Sequence, residues 1–214
     1  MNSKGVTLIE LVVVLAIFIL IFGAATAILL SIIQHERAIL VQNQALNELS
    51  YMEEYVTKAL RMAKFAVSPE DLECMSSNAG YAYLLTRYDN TSQKFSGIKF
   101  INSSENDTCT EFFLDTNESP RPILKVLKSN APLSQAVSLS SDNLDIQSIS
   151  FALNGKDGEF FLLENCANDI TACGVGSGNN VQPMVTMLLH YTFEADLQES
   201  RFLQTTVSKM SANK

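Results

Sequence analysis

Basic clusters, histidines and catalytic motifs are scarce or missing in this sequence. Its 214 residues include 15 Lys and Arg against 23 Asp and Glu, for a net charge of −8, and no basic run could follow a phosphate backbone. Only two histidines occur, His35 and His190, and neither belongs to a recognisable nucleophile or zinc motif. His190 lies in a strand pattern, and we interpret it as an ordinary strand residue. We therefore expect neither nucleic-acid binding nor an enzyme.

Charged residues are also missing from residues 11–33, which read LVVVLAIFILIFGAATAILLSII. As a helix rising 1.5 Å per residue, this segment would be about 35 Å long, which is enough to cross a bilayer. A secretory signal has a shorter apolar part and a small-residue cleavage site after it, whereas QHER follows here at residues 34–37. The sequence predicts a retained transmembrane segment at about 11–33, with membrane lipid around it.

A single carboxylate, Glu10, stands at the start of this apolar run. An acidic side chain inside a membrane costs about 2.5–3.5 kcal/mol at the bilayer centre, so an isolated one requires a partner. If the chain is cut after Gly5, the new α-ammonium group of Val6 lies four residues before Glu10. It can then reach the Glu10 carboxylate of the same or an adjacent copy, and the two charges neutralise each other.

The N-terminal residues carry a family resemblance. Residues 4–11, KGVTLIEL, followed by an apolar run, resemble the leader and methylation motif of type IV pilins, pseudopilins and competence pilins. The resemblance implies that a prepilin peptidase removes leader residues 1–5 by cutting between Gly5 and Val6, and that it N-methylates Val6. It also implies that Glu10 aligns with a neighbour's N-terminus during assembly. The implied partners are other pilins or pseudopilins, met through the N-terminal helix, and an inner-membrane assembly platform.

Two departures from the family pattern bear on the subtype. Val6 stands where the family most often has phenylalanine, and no proline occurs before Pro69, whereas many major pilins carry one within this helix. Both features are tolerated in minor members of the family.

The helical pattern continues beyond the apolar run. Apolar residues recur at spacings of three, four and seven, with charged and amide side chains between them: Ile39, Leu46, Leu49, Val56, Leu60, Ala63 and Val67. We predict one helix over residues 6–67, apolar all round in its first half and amphipathic in its second. Pro69 disfavours helical backbone at Ser68 and ends it, and Ser68 can act as the N-cap of a short new helix.

Residues 68–214 are predicted to form a β-rich head. Short runs with strand character alternate with polar turns, at residues 81–88, 95–101, 111–114, 123–128, 144–153, 159–163, 184–195 and 202–210. Such a series favours an antiparallel sheet, one face of which must cover the apolar side of the second half-helix. The predicted fold class is therefore α+β: a long N-terminal helix packed on an antiparallel sheet.

All four cysteines, Cys74, Cys109, Cys166 and Cys173, lie in the predicted head. Two disulfides are plausible in an oxidising compartment, and three connectivities are possible. We prefer Cys166–Cys173 with Cys74–Cys109, because the first two flank a short polar loop. A zinc site is disfavoured by the spacing, and unpaired buried cysteines remain the simplest alternative.

No cofactor is expected, and calcium is the one candidate ion. Asn165, Asn168 and Asp169 could hold calcium, as some pseudopilin heads do, although their spacing matches no EF-hand loop.

Two functions from different classes are compatible with the sequence. The resemblance implies a minor pilin or pseudopilin of a type IV pilus, competence or type II secretion filament. Such a protein would cross the cytoplasmic (inner) membrane once, with its head outside the cytoplasm, and would join a periplasmic or extracellular filament. The alternative is a single-pass anchored binding or enzymatic domain, unrelated to filaments, that keeps its leader.

Overall fold

The computed structural model describes residues 7–76, 79–117, 121–128, 132–141, 144–156, 159–160, 174–176, 182–193 and 196–209. The chain divides into two compact units, residues 1–44 and residues 45–214. Helix α1, Leu8–Arg61, contributes residues to both units. In its described part the first unit consists of α1 alone, whereas the second unit combines the rest of α1 with a sheet. The fold class is α+β.

Beyond α1, the described residues of the second unit form one short α-helix and eleven strands. The elements are β1 Ala63–Lys64, α2 Pro69–Cys74, β2 Tyr81–Asp89, β3 Lys94–Asn102, β4 Thr108–Asp115, β5 Ile123–Lys128, β6 Val137–Ser138, β7 Leu144–Lys156, β8 Glu159–Phe160, β9 Gly174–Gly176, β10 Met184–Phe193 and β11 Asp196–Ser208. Two single-turn 3-10 helices, Ser103–Glu105 and Leu133–Gln135, lie in the connections.

The strands form one antiparallel sheet with two sections. In the first section β2, β3, β4, β5 and β6 pair in chain order, with β1 beside β3 and β9 beside β2. In the second section β7 pairs with β8 and β10, and β10 pairs with β11. A single register position, Phe95 opposite Phe151, joins β3 to β7 and thereby joins the sections.

The core lies between one face of α1 and the sheet. The buried side chains of α1 in this unit are Ala45, Leu49, Met52, Val56, Ala59 and Leu60. They pack with fully buried rings of the first section, Tyr83, Phe95, Phe100 and Phe112. The Tyr83 hydroxyl donates a hydrogen bond of 2.6 Å to the carbonyl of Leu60, which the helix end leaves without an intrahelical partner. Burial raises the pKa of Tyr83.

Helix α1 ends at Arg61, six residues before the predicted Val67. The backbone beyond Arg61 bonds to strands instead: β1 pairs with β3, the amide of Ser103 donates to the carbonyl of Met62, and the amide of Ala66 donates to the carbonyl of Tyr81. These bonds satisfy the groups that a longer helix would have used. The chain therefore leaves the helix and joins the sheet before it reaches Pro69.

The buried face of α1 also differs from the predicted one. Leu49, Val56 and Leu60 are buried as expected, whereas Leu46 is 38 % exposed and Ile39 is 52 % exposed. Ala45, Met52 and Ala59 take the remaining core positions. The predicted series included Ile39 and Leu46, which lie off the buried face. It gave weight to large aliphatic residues and passed over the smaller or more flexible side chains that take these positions.

Candidate functional site

The predicted processing site lies at the N-terminus. Gly5 and Val6 are outside the described residues, and Thr7 is the first residue described. Helix α1 begins directly after it, and the amides of Glu10 and Leu11 donate to the carbonyl of Thr7 at 3.1 and 3.2 Å. The helix is thus established within the segment that holds Glu10.

Glu10 lies in the first turn of α1, and its side chain is exposed. No ion pair is recorded for this carboxylate within residues 7–76 or elsewhere in the described chain. A negative charge at a helix N-terminus is stabilised by the unpaired backbone amides there. The dipole lessens the cost of the charge at this position without supplying a cationic partner.

The part of helix α1 that lies in the first unit has no buried side chain. Every residue from Leu8 to Leu40 is exposed, including large aliphatic and aromatic side chains such as Phe18 at 60 % and Leu20 at 74 %. By length and composition, α1 is the one described helix that could cross a membrane. We call residues 11–33 the apolar segment.

The hydroxyl of Thr26 within the apolar segment is satisfied by the helix itself. The hydroxyl of Thr26 approaches the carbonyls of Phe22 and Gly23 at 3.0 and 2.9 Å, so it needs no partner outside the helix. Helical backbone likewise satisfies its own amides and carbonyls, which a bilayer core requires. The apolar segment and the motif before it fit a membrane-anchored, single-pass protein.

A disulfide joins Cys74, the last residue of α2, to Cys109 in β4, with a Cα–Cα distance of 5.6 Å. This is one of the two pairs that the sequence analysis preferred. The other pair, Cys166 and Cys173, lies outside the described residues, as do Asn165, Asn168 and Asp169 of the candidate calcium loop. Within the described ranges, no group of three or more His, Cys, Asp or Glu residues could hold a metal ion.

A charged network lies beside this disulfide. The ammonium of Lys64 contacts Asp71 at 3.0 Å and Asp107 at 2.7 Å, and Asp71 also accepts the amides of Val67 and Ser68. Burial alone would raise the pKa of Asp71, but these hydrogen bonds outweigh it and lower the pKa to about 2. Burial would likewise lower the pKa of Lys64, and its two carboxylate partners raise it.

Sequence reasoning found part of this network and missed the rest. Ser68 is the N-cap of α2, as predicted, and Asp71 closes a reciprocal capping box with it. The signal for Asp71 was its position three residues after the cap. Lys64 and Asp107 are brought to it by strand pairing across a long stretch of chain, for which the sequence has no local signal.

The two histidines lie in different elements, His35 in α1 and His190 in β10. His35 is exposed on α1, and His190 lies in β10 opposite Phe202 of β11. The two rings stack, with centroids 4.4 Å apart. The buried Nε2 atom of His190 has no hydrogen-bond partner among the described residues. His190 is therefore a strand residue in a stacked cross-strand pair, in agreement with its interpretation from the sequence.

Comparison with known protein families finds one match. Residues 1–26 match the prokaryotic N-terminal methylation motif, which includes Gly5, Val6, Glu10 and the first part of the apolar segment. No curated protein and no solved structure matches the chain.

Proposed function

We propose that this chain, which carries the N-terminal methylation motif of type IV pilin-like proteins, is a minor pilin or pseudopilin. It would be a structural subunit that enters a pilus, competence or type II secretion filament through its N-terminal helix. The observation that carries the proposal is the combination of this motif with a helix exposed on all sides. The motif belongs to structural proteins rather than to enzymes.

The apolar segment supports a role in assembly. A helix that exposes Phe18, Leu20 and their neighbours to water would aggregate, so in a filament it must be surrounded by similar helices and in a membrane by lipid. Van der Waals packing between such helices can replace lipid contacts at little cost. The same surface can therefore serve the subunit first in the inner membrane and then in the fibre.

Glu10 allows the helix to distinguish a correctly placed neighbouring subunit from any other apolar helix. After prepilin peptidase cuts between Gly5 and Val6, the methylated amine of Val6 remains cationic at neutral pH. In our proposal it pairs with the Glu10 carboxylate of the adjacent subunit. An ion pair in an apolar medium is strong, and an unpaired charge there is costly. Correct stacking of subunits is thereby favoured over other registers.

The disulfide supports placement of the head outside the cytoplasm. Disulfides persist in the periplasm and outside the cell, whereas cytosolic reductants keep most thiols reduced. Cys74–Cys109 lies in the β-rich unit, which follows the apolar segment in the chain. We therefore propose an N-in, head-out orientation in the cytoplasmic membrane, with an assembly platform and prepilin peptidase as partners.

The absence of proline before Pro69 and the size of the head support a minor rather than a major subunit. Residues 68–214 make up most of the chain. The proposed position is one that primes, caps or intercalates in a filament built largely from another pilin.

The decisive experiment replaces Glu10 by alanine in the full chain, with Glu36→Ala as the matched control. Both residues are exposed carboxylates of α1, but only Glu10 precedes the apolar segment. We expect the Glu10→Ala subunit to be processed and inserted normally, yet to be lost from sheared filaments or from crosslinks to partner pilins. Glu36→Ala should be recovered like the wild type. Equal recovery of both variants would refute the pairing role of Glu10.

Processing provides an independent test. Intact mass of the protein from native membranes should lack residues 1–5 and carry one additional methyl group. Gly5→Leu should abolish removal of the leader, because a peptidase site that takes glycine has little room for a side chain. An uncut wild-type chain would instead support the alternative function, an anchored exported binding or enzymatic domain.

A further inference from the structure

Strand β11 lies at one end of the sheet. It pairs with β10 on one side, and none of the other described strands pairs with its second side. With 13 residues it is about twice as long as a typical strand, whereas β6, at the other end of the strand order, has two residues. The second side of β11 therefore presents a long row of backbone amides and carbonyls that no described strand uses.

The paired part of β11 has none of the features that usually keep edge strands apart. Natural edge strands are short, bulged, charged or interrupted by proline. Residues 201–208 read RFLQTTVS, with no proline, no glycine and one charged side chain, Arg201. Their register with β10 is unbroken, from Arg201 opposite Tyr191 to Ser208 opposite Met184. A regular, nearly uncharged edge of this kind is suited to pairing with another strand.

The core is less well covered at this edge than one strand further in. On β10, Met187 and Leu189 are 2 % and 0 % exposed. Their neighbours on β11, Thr205 and Leu203, are only partly buried, although Leu203 packs against the core. A residue of β10 has a strand on each side of it, whereas a residue of β11 has a described strand on one side only. A further strand beside β11 would complete the cover.

The geometry of an antiparallel sheet limits how β11 could pair with a second copy of itself. Two identical antiparallel strands in one sheet are related by a twofold axis, and opposite residues point to the same face. Because side chains alternate between the two faces, the axis must pass through a residue and not between two residues. Gln204 and Thr205 are the two residues at the middle of 201–208.

Charge decides between these two registers. An axis at Thr205 would place Arg201 of each copy opposite Lys209 of the other, and like charges in opposite positions are destabilising. An axis at Gln204 places Arg201 opposite Val207, so no like charges are opposite each other within residues 201–207. The register centred on Gln204 is therefore favoured.

The outer face of β11 can take part in this register. Phe202 is 65 % exposed, and Gln204 and Thr206 are exposed on the same face. The register places Phe202 opposite Thr206 of the second copy, and pairs of an aromatic with a β-branched residue stabilise sheets. The two Gln204 residues are opposite each other at the axis, where amide groups can both donate and accept hydrogen bonds.

We propose that β11 pairs antiparallel with β11 of a second copy of this chain, with the twofold axis at Gln204, so that the two sheets become one. This surface includes neither Glu10 nor the apolar segment, and the proposal is independent of the filament role proposed above.

A new charge at Gln204 tests the axis directly. In the Gln204→Lys variant two positive charges would be opposite each other, and in Gln204→Glu two negative charges would be. Each variant alone should raise the dissociation constant of the dimer about tenfold or more. An equimolar mixture of the two should return the constant to the wild-type value or below, because opposite charges then meet. Sedimentation velocity of the full chain in detergent measures each constant.

Gln147→Lys is the matched control. Gln147 is also an exposed glutamine of a strand, but it lies in β7 and not at this edge. The control should dimerise like the wild type. Since Gln204 is exposed, its two variants should keep the wild-type unfolding midpoint, so that a weaker dimer can be assigned to the edge and not to unfolding.

Cysteine cross-linking tests the register. Gln204→Cys would place two thiols at opposite positions, within the Cα–Cα distance that a disulfide spans, and mild oxidation should give a covalent dimer. Thr206→Cys, which would be opposite Phe202 of the second copy, should give much less. The wild-type chain under the same oxidation shows any contribution of the native cysteines.

Several outcomes would overturn the proposal. One is a wild-type chain that stays monomeric up to its solubility limit. Another is a dimer that both Gln204 variants leave unchanged, because it would form through a different surface such as the apolar segment. A mixture of the two variants that dimerises as weakly as each alone, or a cross-link that forms with Thr206→Cys in preference to Gln204→Cys, would also do so.

Discussion

The two parts of helix α1 differ in how they treat apolar side chains. From Leu8 to Leu40 every residue is exposed, and bulky residues such as Phe18 and Phe22 contact each other but nothing buried. From Ala45 onward six residues are buried against the sheet. Both parts are continuous α-helix, so secondary structure alone does not separate them.

The arrangement of apolar residues explains the difference. In the second part they recur on one face, at Ala45, Leu49, Met52 and Val56, so a single sheet face can cover them. In the apolar segment the apolar residues occupy every side of the helix, so no single face of another element could cover them all. Burial of that segment requires surroundings on all sides, which lipid or several neighbouring helices can provide.

The largest expected effect is the difference between two phenylalanine truncations, one in each part of α1's surroundings: Phe112 beside the buried part and Phe18 in the exposed part. Phe112 is fully buried between Tyr55 and Phe100, with ring centroids 5.9 and 5.7 Å away. Phe112→Ala should destabilise the second unit by about 3–5 kcal/mol through lost contacts and a cavity. Phe18→Ala should leave the stability of the second unit unchanged, because the Phe18 side chain is exposed. Urea unfolding of the full chain in detergent, followed by near-ultraviolet circular dichroism, measures both.

An equal effect of the two substitutions on the unfolding midpoint would contradict this expectation. If Phe18→Ala lowered the unfolding midpoint of the second unit as much as Phe112→Ala, the apolar segment would contribute to the stability of that unit. Retention of the wild-type midpoint by Phe112→Ala would instead show that the site can repack.

The positions of most strands were predictable from the sequence, but their bounds were less so: β11 begins at Asp196, six residues before the predicted start at 202. Strand β5 was predicted with its observed bounds. Strand β2 extends one residue beyond the predicted range at its C-terminal end, and β3 extends one residue at each end. Alternation of buried and exposed residues is a local property, which is why it is readable. The short strands β1, β6 and β9 were missed, because they exist only through their pairing with β3, β5 and β2. Strand β9 lies in a glycine-rich stretch whose composition indicated a turn.

The candidate sites divide in the same way. Gly5, Val6 and Glu10 stand out because a charge beside a long apolar run is visible in the sequence alone. Lys64 and Asp107 do not stand out, since they meet only through strand pairing between segments distant in the chain. The sequence allowed Cys74 to pair with any of the other three cysteines. The fold selects Cys109 by bringing α2 beside β4.

Removal of the disulfide is expected to have the next largest effect. Cys74 and Cys109 are 35 residues apart in sequence, and cross-links of this kind contribute about 2–4 kcal/mol, mainly by restricting the unfolded chain. The double variant Cys74→Ser with Cys109→Ser should unfold at a correspondingly lower urea concentration. In a reducing buffer, wild type and variant should become similar. A difference that persists under reduction would mean that the serines, rather than the lost bond, cause it.

The smallest expected effect concerns Asp71, and it depends on pH. Its folded-state pKa is about 2, below its ordinary value of 3.8, so the folded chain favours the ionised form. The stabilisation is therefore complete above about pH 5, falls as pH drops through the interval between these two values, and is lost near pH 2. At about 1.4 kcal/mol per unit, it amounts to roughly 2 kcal/mol at most.

Asp71→Asn isolates this contribution, because asparagine keeps an acceptor for the amides of Val67 and Ser68 but loses the charge that faces Lys64. At pH 7 the variant should be about 1–2 kcal/mol less stable than wild type, and the two stabilities should converge as the pH approaches 2. Glu70→Gln, an exposed carboxylate of the same helical turn, is the control and should stay within about 0.5 kcal/mol of wild type at every pH. A gap between wild type and Asp71→Asn that stays constant with pH would show that packing, not charge, makes Asp71 important. That outcome would remove the network beside the disulfide as a source of acid sensitivity in the head.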